Sequence, residues 1–142
     1  MNKFGHGYAS PYFITDFDQA LAVLDRCSIL VTGQNVSSVE PLRPILEKTV
    51  QMSRSLLLVA ADFSDEVLVA LAVEKIRGGL QVCAVRASSM EQRQVMDEFA
   101  AAVGTAVLSS LEQTGRIEDL GYAAHVIVTK EYTIASHEPI DL

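Results

Sequence analysis

The chain has 142 residues, of which 49% are hydrophobic and 20% charged, and its formal net charge is −7. This length suits one domain, and the composition is typical of a globular protein with its own core. The acidic charge argues against nucleic-acid binding, which needs a clustered basic face. The lysines and arginines form no run that would bind an anionic membrane surface.

The hydropathy pattern and the two cysteines indicate in which cellular compartment the protein is expected. No segment approaches the ~18 uninterrupted apolar residues of a membrane helix, and residues 1–8 lack the apolar stretch of a secretory signal. Cys27 and Cys83 lie far apart, each in or beside an apolar strand-like run. This placement indicates buried, reduced thiols. We therefore expect a cytoplasmic protein with no membrane partner.

Strands and helices alternate along most of the chain after Cys27. The predicted strands are residues 28–33, 55–62 and 80–87, and the predicted helices lie within residues 39–50, 65–77 and 90–103. Pro44 belongs in the first turn of the first helix, Ser64 can cap the second, and Gly78 and Gly79 can end it. Residues 125–136 predict two strands joined near Lys130.

This alternation predicts an α/β fold with a mainly parallel sheet flanked by helices, because short connections between strands and helices produce that architecture. The first 26 residues and the C-terminal hairpin lie outside the alternation. We expect both to add antiparallel strands to the sheet.

The second predicted helix contains seven consecutive apolar residues, Val67 to Val73. A helix that is apolar all round is either buried on both sides or offers one side to a partner. Leu68, Val69, Ala72, Val73 and Ile76 form one arc at helical spacing. Two interpretations stay open at this point: an exposed apolar stripe, or a central core helix.

Asp62 is a candidate for chemistry, since it ends an apolar strand where ligands collect in open α/β sheets. It could be a phosphoacceptor or a Mg²⁺ ligand. The neighbouring strand ends supply no further carboxylate, however, and the three histidines are too far apart in sequence to suggest a metal site. Nucleotide-binding and nucleophile motifs are absent from the sequence. We expect no cofactor, no metal and no enzyme activity in this chain; a doubly wound phosphoacceptor or metal-dependent enzyme using Asp62 is the alternative.

Five segments resemble one known family in order and spacing. GYASPYF, residues 7–13, resembles the G-Y-x-S-P-Y-F signature that opens the apical domain of GroEL-type (group I) chaperonins. The segments SLLLVAAD, IRGGLQVCAVRA, IEDLGYA and HVIVTKEYTI are similar to later parts of the same domain. The resemblance extends from about Phe4 to about Ile134.

The resemblance implies a polypeptide-binding module. Apical domains of this family bind non-native polypeptides and the mobile loop of a GroES-type co-chaperonin in an apolar groove between two helices. Residues 1–142 would then be a single apical domain without the family's ATP-binding domain, from a parent that forms a homo-oligomeric ring, and monomeric in isolation. The positions that match the family's binding residues are Tyr8, Tyr12, Phe13, Arg43, Leu46, Leu68, Ala72 and Val73.

The sequence also departs from the family. Arg43 stands where leucine is usual and Ala72 where valine is usual. Lost methylenes forfeit about 1–2 kcal/mol of burial, and a desolvated, unpaired arginine costs more. The family's A-P-G-F-G motif is also missing after the third strand, so we expect altered or weak binding. In an extended stretch Tyr12 and Phe13 point to opposite sides, so at least one ring is expected in the core.

Overall fold

The computed structural model describes residues 2–87, 92–105 and 120–136. Within these ranges the strands are β1 (Asn2–Phe4), β2 (Ala22–Val31), β3 (Asn35–Val36), β4 (Ser55–Ala60), β5 (Asp62–Phe63), β6 (Val82–Arg86), β7 (Gly121–Val128) and β8 (Thr133–Ser136). The α-helices are α1 (Arg43–Gln51), α2 (Asp65–Gly78) and α3 (Gln92–Ala102). Two 3-10 turns span Pro11–Phe13 and Glu40–Leu42.

Six of these strands form one mixed sheet in the order β1-β8-β7-β2-β4-β6. The strands β2, β4 and β6 are parallel, and Leu58 of β4 lies opposite Leu30 on one side and Ala84 on the other. The remaining pairs are antiparallel: β7 pairs with β2, β8 pairs with β7, and β1 pairs with β8. The short strands β3 and β5 form a separate parallel pair.

The predicted α/β class, with parallel strands flanked by helices, is confirmed. The antiparallel strands come from the N-terminal segment and the C-terminal hairpin, as expected. The strand β2 begins at Ala22 rather than at Ser28, because residues 22–25 pair only with β7. This first half alternates buried and more exposed positions, and Arg26 follows it with a φ of 52°. A search for continuous apolar runs therefore finds only the second half of β2.

The helix ends agree with the local signals in the sequence. The Oγ atom of Ser64 accepts a hydrogen bond from the N–H of Val67 at 3.3 Å, which caps α2. Gly79 ends the same helix in the left-handed region, with a φ of 68°. Pro44 lies in the first turn of α1, where a missing N–H leaves no intrahelical hydrogen bond unmade.

The helices α1 and α2 lie over the parallel part of the sheet. All six residues of β4 are buried, as expected for a central strand covered on both faces. The helix α1 packs on β4 and α2 packs on β6, while α3 packs against β1. Crossovers between parallel strands are right-handed as a rule, so two successive ones along β2-β4-β6 place α1 and α2 side by side on one face.

The segment that follows β1 contacts the β7–β8 turn and the edge strand β6. The Tyr8 N–H donates to the carbonyl of Thr129, beyond β7, at 3.1 Å, and the Ala9 N–H donates to the carbonyl of Ala84 in β6 at 2.7 Å. Gly7 is required for this path, because a Cβ there would lie 2.1 Å from the Thr129 oxygen. The N-terminal segment therefore holds the β7–β8 turn against β6.

Some predicted features lie outside the described residues. These are the predicted start of the third helix at Met90, the missing-motif region at residues 88–91 and the first part of IEDLGYA at residues 117–119.

Candidate functional site

A groove with a volume of about 340 Å³ lies between α1 and α2. Among the described residues, five from α1 and one from α2 line it: Arg43, Leu46, Glu47, Val50, Gln51 and Glu74. Leu46 is almost fully buried and forms the apolar floor, and Val50, 43% exposed, extends that floor towards solvent. The remaining four side chains give the groove a polar rim.

The helix α1 presents this lining because its sequence is amphipathic. The lining residues recur three to four positions apart and therefore follow one side of the helix. Ile45 and Thr49 lie on the opposite side and are fully buried. The Thr49 hydroxyl donates to the Ile45 carbonyl at 2.7 Å, which satisfies this buried polar group within the helix.

The helix α2 exposes a stripe of apolar side chains, which we call the α2 stripe: Val69, Val73 and Ile76. Their exposed fractions are 52%, 39% and 82%. The spacing i, i+4, i+7 aligns the three side chains along the helix axis. Val67 and Leu71 are buried against the sheet. The structure thus supports the exposed stripe and not the central core helix.

The charge of Arg43 is paired. Its Nε atom lies 3.0 Å from Oε1 of Glu40, and both side chains are at least half exposed. The cost of a desolvated, unpaired arginine therefore does not apply here, because the 3-10 turn before α1 places the Glu40 carboxylate against the Arg43 guanidinium. Exposed pairs of this kind contribute little to stability.

Unlike Arg43, the two glutamates of the groove lining, Glu47 and Glu74, are not paired with a described residue. Glu47 is exposed and Glu74 is partly buried. Within the described part of the chain, neither carboxylate has a hydrogen-bond or ion-pair partner. The groove therefore carries two uncompensated negative charges beside an apolar floor.

The 3-10 turn at Pro11–Phe13 is fastened to α2 by Lys75. The Lys75 Nζ donates to the carbonyl oxygens of Tyr12 at 3.1 Å and Ile14 at 3.0 Å. Burial lowers the pKa of Lys75 from its usual value. Tyr12 is 61% exposed, so its ring stands on the surface of a turn that is bonded to the helix carrying the α2 stripe.

Three predicted binding residues lie in the interior instead. Phe13 is fully buried, and Leu68 and Ala72 are nearly so. The 3-10 turn directs Phe13 into the core while Tyr12 faces solvent, so the expectation that at least one ring is core is confirmed. Tyr8 is partly buried, and its hydroxyl donates to the Ala20 carbonyl at 3.3 Å. Phe13, Leu68 and Ala72 therefore pack in the core beneath the surface and are not exposed for contact with a partner.

Of the eight predicted residues, Arg43 and Leu46 line the groove, while Tyr12 and Val73 are exposed near α2. The sequence prediction missed Val50, although it follows Leu46 by one turn of an amphipathic helix. Glu74 was also missed, because its place in the groove depends on the rotation of α2 against the sheet.

Asp62, the candidate for phosphoryl or metal chemistry, is engaged by a neighbouring strand. Its carboxylate forms an ion pair with Arg86 of β6 and accepts a hydrogen bond from the Phe63 N–H at 2.8 Å. Across the described ranges, no group of three or more His, Cys, Asp or Glu could hold a metal ion. Phosphoryl or metal chemistry at Asp62 stays a prediction. Within the described residues, no acidic or histidine side chains join Asp62 to form a set of three metal ligands.

The two cysteines are buried and free, as predicted. Among the residues described, no helix has the length and apolarity needed to cross a membrane. No model of a known protein family matches the chain. The resemblance to chaperonin apical domains therefore stands on the sequence segments quoted above.

Proposed function

We propose that this chain is a polypeptide-binding module that holds apolar segments in the groove between α1 and α2. The observation that carries the proposal is the apolar-floored groove between α1 and α2. The α2 stripe adds further exposed apolar surface on one of these two helices. Apolar surface left in water gains about 25 cal/mol for each Å² that a partner covers. Leu46 at the groove floor belongs to the core, whereas Val50 and the α2 stripe are exposed to solvent and are available to a partner.

The dimensions of the groove favour modest and broad binding. A volume of about 340 Å³ is at the small end of ligand sites, enough for a few side chains of a peptide. Binding must also offset the ordering of a flexible segment, which limits affinity. An aliphatic floor of Leu46 and Val50 offers few directional contacts, so unrelated apolar segments can occupy it.

The chaperonin resemblance suggests which partners this module binds and where it acts. Under it, the partners are non-native polypeptides and the mobile loop of a GroES-type co-chaperonin, in the cytoplasm. The chain itself binds and releases polypeptide without catalysing a reaction, and ATP hydrolysis belongs to another domain of a ring-forming parent. The exposed Tyr12 and Val73 are the resemblance-derived residues that support this assignment most directly.

A peptide titration followed by NMR tests the proposal. We expect a co-chaperonin mobile-loop peptide to shift amide signals of α1 and α2 and to leave those of α3 unchanged. Substitution of Val50→Glu or Val73→Glu should weaken binding by about tenfold, equivalent to about 1.4 kcal/mol, because each places a charge on apolar surface that the peptide covers.

The control is Phe17→Glu, which changes a more exposed apolar side chain outside both helices. It should bind as the parent does. Both test positions are partly exposed, so the variants should fold, whereas Leu68→Glu would bury a charge in the core. Equal affinity in all four proteins, or shifts concentrated outside α1 and α2, would reject the groove.

A further inference from the structure

The unbalanced charge of the groove indicates which segments it accepts. The positive charge of Arg43 is matched by Glu40, which leaves Glu47 and Glu74 as the free charges of the lining. Both carboxylates border the floor formed by Leu46 and Val50. The chain as a whole is also acidic, with a net charge of −7, so no long-range positive field offsets them.

Building on the function proposed above, we propose that the groove selects polypeptide segments in which a lysine or arginine adjoins apolar residues. The apolar side chains cover Leu46 and Val50, and the cationic group reaches Glu47 and Glu74 on the rim. A lysine or arginine side chain suits this arrangement, because its methylene stem can lie on the apolar floor while its head stays in water near a carboxylate.

The same charges act against other segments. A peptide with acidic residues beside its apolar core meets two like charges, which lowers its association rate and its affinity. A second copy of this chain is disfavoured as the occupant for the same reason, since it carries the same net charge of −7. Arg43 cannot relieve this repulsion while it is paired with Glu40.

The test compares three peptides of one apolar sequence flanked by lysine, glutamine or glutamate. Fluorescence anisotropy measures the affinity of each for the full chain at low and at high salt. We expect the lysine peptide to bind about tenfold more tightly than the glutamine peptide at low salt, and the glutamate peptide to bind most weakly. Added salt should shrink both differences, since the carboxylates are accessible to solvent.

Two variants assign the effect to the groove. Glu47→Gln combined with Glu74→Gln should bring the lysine and glutamine peptides to similar affinity while the glutamine peptide itself still binds. The matched control, Glu131→Gln, removes an exposed carboxylate from the β7–β8 turn and should preserve the preference. Circular dichroism verifies that each variant is folded.

The outcomes separate this inference from the proposed function. If the glutamine peptide binds but the lysine peptide binds no better, charge selection is overturned and the apolar groove survives. A lysine preference that persists in the double variant also overturns it, because the charge effect then originates elsewhere. If none of the peptides binds, or if the chain self-associates through the groove in sedimentation experiments, the proposed function fails as well.

Discussion

Arg43 is one position at which this chain departs from the chaperonin pattern that its sequence resembles, and the structure changes what that departure means. Its guanidinium is at the rim, exposed and paired with Glu40, so the groove floor contains no buried charge. The arginine takes up space that an apolar side chain could use for contact with a peptide. Its effect on binding is therefore a loss of apolar contact area rather than a desolvation penalty.

Replacement of Arg43 by leucine should consequently tighten binding of an uncharged apolar peptide by about five- to tenfold, since it adds apolar surface to the groove. The free energy of unfolding should change by less than about 1 kcal/mol, because the lost ion pair is exposed. Isothermal titration and urea denaturation measure the two quantities.

Arg43→Gln is the matched control, because it removes the charge without adding apolar surface and should leave the affinity close to that of the parent. If Arg43→Leu weakens binding instead, the arginine contacts the peptide directly, and the partner carries an acidic group at that point.

At the scale of elements, α1 and α2 differ in how far their sequences predict their surroundings. The apolar residues of α1 fall on one side, so its buried positions Ile45 and Thr49 follow from periodicity. In α2, seven consecutive apolar residues give no such contrast. The predicted arc placed Leu68 and Val69 on the same side of the helix. In the structure Leu68 is buried and Val69 is exposed, because packing on β6 fixes the rotation of α2.

The parallel strands bury Cys27 in β2 and Cys83 in β6, and burial raises the pKa of both thiols above the usual value of 9.0. In the unfolded chain both thiols ionise near pH 9, whereas in the folded chain they stay protonated. Their contribution to stability is therefore complete below about pH 9 and is lost as the pH rises above it.

We expect the free energy of unfolding to fall above pH 9 by up to about 1.4 kcal/mol per pH unit for each thiol. Urea denaturation between pH 8 and pH 10 measures this slope. The variant Cys27→Ala/Cys83→Ala should be less stable at pH 8 but should lose less stability over the same range. Equal slopes in the two proteins would mean that the cysteines do not cause the pH dependence.

At the scale of the whole molecule, the sequence predicts the α/β class, the antiparallel additions and the helix caps, since each follows from a local pattern. It does not predict the groove, which depends on how two helices rotate against a sheet. Nor does it reveal that the segment after β1 joins the β7–β8 turn to β6, because those contacts link residues far apart in the chain. The structure shows that Gly7 makes this link possible.

Gly7→Ala therefore tests whether the link between the β7–β8 turn and β6 positions Tyr12 beside α2. The new methyl group would collide with the backbone at Thr129, so the segment must shift, at a cost of about 1–3 kcal/mol in the free energy of unfolding. Gly5→Ala is the control two residues away, where a Cβ meets nothing within 4 Å. Hydrogen exchange should quicken at Tyr8 and Ala9 in Gly7→Ala alone. Because Tyr12 follows on the same segment, peptide affinity should fall too; unchanged affinity with quickened exchange would remove Tyr12 from the binding surface and leave the α1–α2 groove as the whole site.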